Sequence, residues 1–338
     1  MDRFLTAKQL QYFIENKSDV VRYLFSQNFP QLSVNSGKYI PLKSDLFRQP
    51  ELKFLFHRNR NDYAGDVKKW DKIPRGVLWN LYYYSFLGFD KSDEFINNSI
   101  KFLNEKYLMP SGGFSFGWYP LSESTLWTGE YLFLLLNFGY QGEEIHSIKN
   151  WITENQNDDG GWFVSPVKNV SDALRFVFNG KIKIDRTKNT KSKSCVFSSI
   201  SCLHALLLYR KIFKSDVIDE AIDRAAYFIL NQQIIFKNEL ESLDGFVINK
   251  NFQSTGISIF GQIDMIKYLD IMSQTSYKNH QFVTSVFNYF VKEKHFEEGW
   301  LFNSKADYMM ENEFSIKKNS GIDFLATIRL LKIFSRYN

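Results

Sequence analysis

Two cysteines in 338 residues rule out a disulfide framework and fit a reducing compartment. Long apolar runs are also missing. No stretch approaches the roughly 20 residues needed to span a bilayer, so no membrane span is expected. Charge of either sign is nearly balanced, 42 Lys and Arg against 37 Asp and Glu, for a net +5. That surplus is too small to indicate a nucleic-acid partner, and none is expected. The opening Met1-Asp2-Arg3-Phe4-Leu5-Thr6 lacks the charged-then-apolar pattern of a signal peptide. Together these features predict a soluble, cytoplasmic protein.

Aromatic side chains are abundant, at 17% of the residues with 33 phenylalanines, and give material for a large core. The most informative stretch is Ser147 to Trp162. Ile148, Trp151 and Ile152 recur at helical spacing, and Asn157-Asp158-Asp159-Gly160-Gly161 then stops the helix. Trp162 follows, placed to drop its indole back over the helix end. The module recurs with less regularity at Ser111-Gly112-Gly113-Phe114, Asp244-Gly245-Phe246 and Glu298-Gly299-Trp300. The Gly–aromatic pairs begin at 113, 161, 245 and 299. One step is longer than the others by about 30 residues, which reads as an insertion at roughly 165–193 in a repeat.

Two kinds of helix alternate along the chain. Segments 75–87, 124–138, 195–212, 254–272 and 320–335 are apolar nearly all round, which requires burial on all sides. Segments 92–107, 143–155, 216–233 and 279–294 are polar on one side. This alternation predicts an inner and an outer layer in an all-α fold.

A helix, a Gln, Asp-Gly-Gly-Trp and a second apolar helix, as in Trp151 through Gln156 to Trp162, resembles the repeat of terpenoid cyclases and protein prenyltransferase β-subunits. The resemblance extends over roughly 75–335. It implies an α/α toroid, two concentric helix layers around a central cavity, over residues 73–338. Residues 1–72 are then an N-terminal helical segment, with a helix within 6–28, packing on the ring or covering its substrate. The insertion carries Lys168, Arg175, Lys181, Lys183, Arg186, Lys188, Lys191 and Lys193. It reads as a solvated loop or as a basic lid for an acidic ligand.

Charges within inner helices must line the cavity or be paired. Four stand out: Glu130, Asp264, Asp323 and Arg329. The three carboxylates are the candidate acid–base residues. Trp79, Tyr83, Trp127, Tyr131, His204, Phe260 and Arg329 are candidate substrate contacts. The family's own chemical signatures are absent. There is no Asp-x-Asp-Asp acid motif, and Asp93 in Asp90-Lys91-Ser92-Asp93-Glu94 suits a helix cap. Cys195, Cys202 and His204 have poor zinc-ligand spacing, because positions 202 and 204 diverge by about 160–200° on one helix. No metal and no cofactor are expected.

Three functional readings follow. The first is an enzyme or binder of an apolar, isoprenoid-like or diphosphate-bearing small molecule. The second is a toroid without catalysis that binds a peptide or protein. The third is a carbohydrate-active lyase or glycosidase, with Trp118 and Trp127 stacking on sugars.

Overall fold

The structure is a computed structural model that describes residues 11, 15, 19–31, 40–49, 52, 63–65, 76–115, 123–163, 194–231, 240–243, 246–249, 265–293, 295–296, 299–300 and 324–337. These are mostly helical, with two short antiparallel strand pairs. The chain divides into two compact units. One comprises Met1–Phe89, Ile235–Ile259 and Asp264–Asn338, and the other Asp90–Ile234 and Phe260–Ile263.

In the first unit, α1 (Asp19–Asn28) packs on α2 (Lys43–Leu46) and on the last helix of the chain. Helix α3 (Val77–Phe86) is apolar nearly all round and is buried accordingly.

Among the described residues, five helices belong to the second unit: α4 (Glu94–Tyr107), α5 (Thr125–Asn137), α6 (Glu144–Glu154), α7 (Val196–Phe213) and α8 (Asp219–Asn231). Helices α5 and α7 pack along each other, and α6 and α8 flank them. The flanking helices bury one stripe each: Ile96, Ile100 and Leu103 in α4, Ile145, Ile148, Trp151 and Ile152 in α6, Ile222, Ala225, Phe228 and Ile229 in α8. The opposite faces are charged, as one-sided burial requires. Helix α4 also carries Glu94 in its first turn and Lys106 in its last, matching the helix dipole. Asp93 occupies the position before α4, where its carboxylate accepts the Asp90 N–H at 2.9 Å.

Two glycine turns feed the central pair, and their hydrogen bonds match one for one. Met109 and Asn157 each donate their N–H to Gly113 and Gly161 carbonyls, both at 2.9 Å. Phe114 N–H donates to Thr128 Oγ1 (2.8 Å), and Trp162 N–H to Ser199 Oγ (3.0 Å). Those hydroxyls in turn donate to the Ser124 and Cys195 carbonyls four residues back. Gly112 and Gly160 have φ of +96° and +89°. A Cβ on either would sit 2.4 Å from the Ser147 carbonyl oxygen or 2.3 Å from that of Arg224. Both conformation and proximity therefore demand glycine.

The matching registers define two equivalent turn-and-helix modules. Phe114 and Trp162 stand 48 positions apart and Thr128 and Ser199 stand 71 apart, so the second connection is longer by 23 residues. Helix α7 is also longer than α5, 18 residues against 13. The stretch predicted as an insertion, roughly 165–193, lies outside the described residues. Helix α7 is the one described helix long and apolar enough to cross a membrane by length and composition. It is a core helix here, with Ile200, Leu203, Leu206 and Leu207 buried.

The turn explains the other motif residues. Trp162 is fully buried and donates Nε1–H to the Ile152 carbonyl at 2.8 Å, filling an acceptor in the last turn of α6. Gln156 donates to the carbonyls of Gly160 and of Ala221 in α8, both at 2.8 Å. Arg224 of α8 donates to the Asn157 carbonyl at 2.6 Å.

Further along the first unit, β1 (Leu240–Leu243) and β2 (Phe246–Asn249) form a hairpin in which Leu243 pairs with Phe246. Asp244 and Gly245, read above as a further copy of the glycine module, lie outside the described residues. Next come α9 (Met265–Met272), α10 (Gln281–Asn288) and a π turn over Tyr289–Glu293. Strands β3 (His295–Phe296) and β4 (Gly299–Trp300) follow, with β4 beside α11 (Phe324–Phe334). Helix α11 packs on α9 and on α1. A 3-10 turn, Ser335–Tyr337, holds the end of the chain: Arg336 donates to the Asp270 carbonyl, the Asp270 carboxylate and Ser273 Oγ at 2.7–2.8 Å.

Candidate functional site

The two central helices of the second unit carry equivalent stripes. On α5 the stripe is Leu126, Glu130, Phe133 and Asn137; on α7 it is Phe197, Ser201, His204 and Leu208, each 71 positions later. Within the stripes Leu126, Phe133, Phe197, His204 and Leu208 are half-buried, amid turns of helix that are otherwise closed. These residues share one face of the pair. It follows from the spacing of three and four residues that keeps side chains on one side of a helix.

Equivalent residues meet across this face. Ser201 Oγ donates to Glu130 Oε1 at 2.6 Å, with both residues 1% exposed. One turn on, the His204 ring stacks on Phe133, centroids 4.1 Å apart and planes 28° from parallel. The contacts advance together along both helices, so α5 and α7 run parallel. Close approach is possible because a Cβ on Gly129 would lie 2.8 Å from the backbone at Ser201 and Cys202. Cys202 Sγ donates to the Thr125 carbonyl at 3.3 Å. Burial pushes its thiol well above the ordinary value, and the Glu130 charge adds to that. Trp127, half-buried, stands beside Leu126 at the mouth of α5.

Glu130 and His204 are therefore brought onto one face. Tyr131 is not. It is fully buried, packs on Phe114 at 4.4 Å between centroids, and donates its hydroxyl to Asn104 Oδ1 at 2.6 Å. Burial raises its phenol well above the usual range. In the first unit, Trp79 and Tyr83 are buried within α3, at 7% and 2% exposure, and Arg329 is half-buried on α11. Phe260, Asp264, Asp323, Trp118 and the basic residues from Lys168 to Lys193 lie outside the described residues.

Three functional groups escaped the sequence reading. Ser201 gave no signal alone; only the repeat register aligns it with Glu130. Lys267 in α9 is 1% exposed and belonged with the inner-helix charges. Glu123 accepts hydrogen bonds from Ser111 and Trp151, and burial raises its carboxyl pKa. Cys195 is half-exposed, Cys202 is buried, and neither is in a disulfide. Among the described residues no three His, Cys, Asp or Glu side chains gather as a metal-binding group. No protein-family model matches the chain, and no curated protein matches its sequence.

Proposed function

We propose that the chain is an α/α toroid of the terpenoid cyclase and prenyltransferase type, which binds or transforms an apolar, isoprenoid-like molecule on the face of α5 and α7. Parallel central helices, each preceded by a glycine turn and followed by a flanking helix, support the architecture. So does the packing of α1 on α11, near the two ends of the chain.

The observation that carries the functional reading is the composition of that face. Leu126, Trp127, Phe133, Phe197, His204 and Leu208 offer apolar and aromatic surface, while Glu130 held by Ser201 is its one described carboxylate. Sites for apolar ligands combine such walls with few polar groups. Aromatic ring faces also stabilise positive charge, whether carried by the ligand or developing in it.

Native mass spectrometry of the purified protein, followed by extraction of whatever leaves with it, tests the reading. A prenyl or lipid-like molecule is expected, lost or weakened in Phe133→Ala. The reading fails if no such molecule is carried and none binds from a panel of prenyl alcohols and diphosphates. Binding of oligosaccharides from a parallel panel, or of peptides, would replace it with another of the three readings.

A further inference from the structure

The residues that precede α5 and α7 are equivalent, and they differ in one atom, an oxygen against a sulfur. Ser124 precedes α5 and accepts the Trp127 N–H on its Oγ at 3.5 Å, which caps the helix. Cys195, 71 positions later, precedes α7, and its side chain caps nothing. The donor it would serve is the Ser198 N–H, counterpart of the Trp127 N–H, which has no partner among the described residues. The Ser198 hydroxyl has none either, and the residue is fully buried. Side chains on a helix lean toward its N-terminus, so this hydroxyl leans back over the turn that begins at Cys195. Cys195 has extended backbone, φ −90° and ψ 124°, the conformation that brings a capping residue's γ atom to the same N–H. Two unused donors thus converge on one half-exposed thiol. A neutral thiol accepts weakly, whereas a charged sulfur, or an oxygen bonded to it, accepts well.

We infer that Cys195 is a peroxide-reactive thiol, oxidised to a sulfenic acid that Ser198 holds at the N-terminus of α7. In the step, the charged sulfur attacks the terminal oxygen of a hydroperoxide. An S–O bond forms, the O–O bond breaks, and the leaving alkoxide takes a proton from water. Sulfur gives up two electrons, and the hydroperoxide is reduced to an alcohol or, from hydrogen peroxide, to water. The new oxygen accepts from the N–H and the hydroxyl of Ser198. No guest enters the core, since the reagent meets the half-exposed sulfur from the solvent side. Cys202 is buried and donates to the Thr125 carbonyl. It cannot resolve the product as a disulfide, because seven residues along one helix set it about 10 Å away, beyond the reach of an S–S bond. The sulfenic acid therefore awaits an external thiol.

Hydrogen peroxide with dimedone trapping, read by peptide mapping of the full chain, tests this. Cys195 is expected to label and Cys202 not. At neutral pH the rate should exceed that of glutathione about tenfold, since a donor to charged sulfur is worth more than the nucleophilicity it withdraws. Ser198→Ala should slow labelling about threefold or more. Its melting temperature should hold, because the hydroxyl removed has no partner among the described residues. Cys195→Ser should abolish labelling and hold or raise the melting temperature, since serine restores the cap made by Ser124. A rate no faster than that of glutathione overturns the inference, and so does an unchanged rate in Ser198→Ala. Equal labelling of Cys202 also overturns it, because that pattern reports opening of the core and not a built site.

Discussion

The two glycine turns of the second unit solve one problem with reversed parts. In the first, Ser111 on the turn donates to Glu123 on the returning chain. In the second, Asp159 on the turn accepts from Ser194 Oγ at 2.6 Å on the returning chain. Acid and hydroxyl have changed places, yet each turn residue also accepts the N–H of the second glycine, Gly113 or Gly161. The geometry of the clasp is kept, and the side that carries the charge is not. What differs is solvation. Glu123 is largely withdrawn from water, whereas Asp159 is exposed with its buried partner Ser194 beneath it.

The strongest way to break the comparison is at the glycines. Gly112→Ala and Gly160→Ala should each destabilise by about 3 kcal/mol or more, because both set a Cβ against a backbone carbonyl at positive φ. Urea denaturation measures the loss. A tolerated Gly112→Ala beside a ruinous Gly160→Ala would show that only the second turn is rigid.

Next come the hydroxyls beneath the turns. Thr128→Val and Ser199→Ala each strand a buried N–H, of Phe114 or Trp162, and should cost about 1–3 kcal/mol. Similar values in the two, again from denaturation midpoints, would confirm equivalent roles. Losses that differ by more than about 1 kcal/mol would deny it.

The clasps themselves are separated by pH. Burial raises the Glu123 carboxyl above its ordinary 4.5, so the folded state binds that proton more tightly than the unfolded chain. Its contribution is most favourable below about 4.5 and is lost as pH rises through the folded value. Glu123→Gln should therefore gain stability relative to wild type as pH increases across that window, followed by melting temperature. A pH-independent difference between the two proteins would refute the assignment.

The smallest effect is expected where the central helices end. Helix α5 closes on Gly139 at φ +66°, but α7 closes on Lys214 at φ +49°. Lys214→Gly should stabilise by roughly 0.5–1 kcal/mol, since glycine adopts that conformation without strain. No gain in melting temperature would mean that the lysine side chain compensates elsewhere.

Much of this was legible in the residues. Central and flanking helices declare themselves by all-round or one-sided apolar spacing, and Asp159-Gly160-Gly161-Trp162 carries its turn in plain view. The degenerate copies are harder to place for a physical reason: a glycine dipeptide can end a helix or close a hairpin, and only its surroundings decide between them. Tyr131 was misplaced for a related cause. An all-round apolar helix has no polar side to orient it, so its rings cannot be assigned to one face or the other. Glu130 and His204 stood out in the sequence because charge and imidazole are rare in such helices. Ser198 and Ser201 were invisible, being small, common in helices and meaningful only once α5 and α7 are laid side by side.

The Asp159–Ser194 clasp has a consequence for how the chain tolerates change. It fastens the two ends of the connection at its root, together with the Trp162–Cys195 pairing, so whatever runs between them hangs from a closed socket. Chain length beyond a socket adds only slowly growing closure entropy. A segment of different length can thus be accommodated at this position without renegotiating the core.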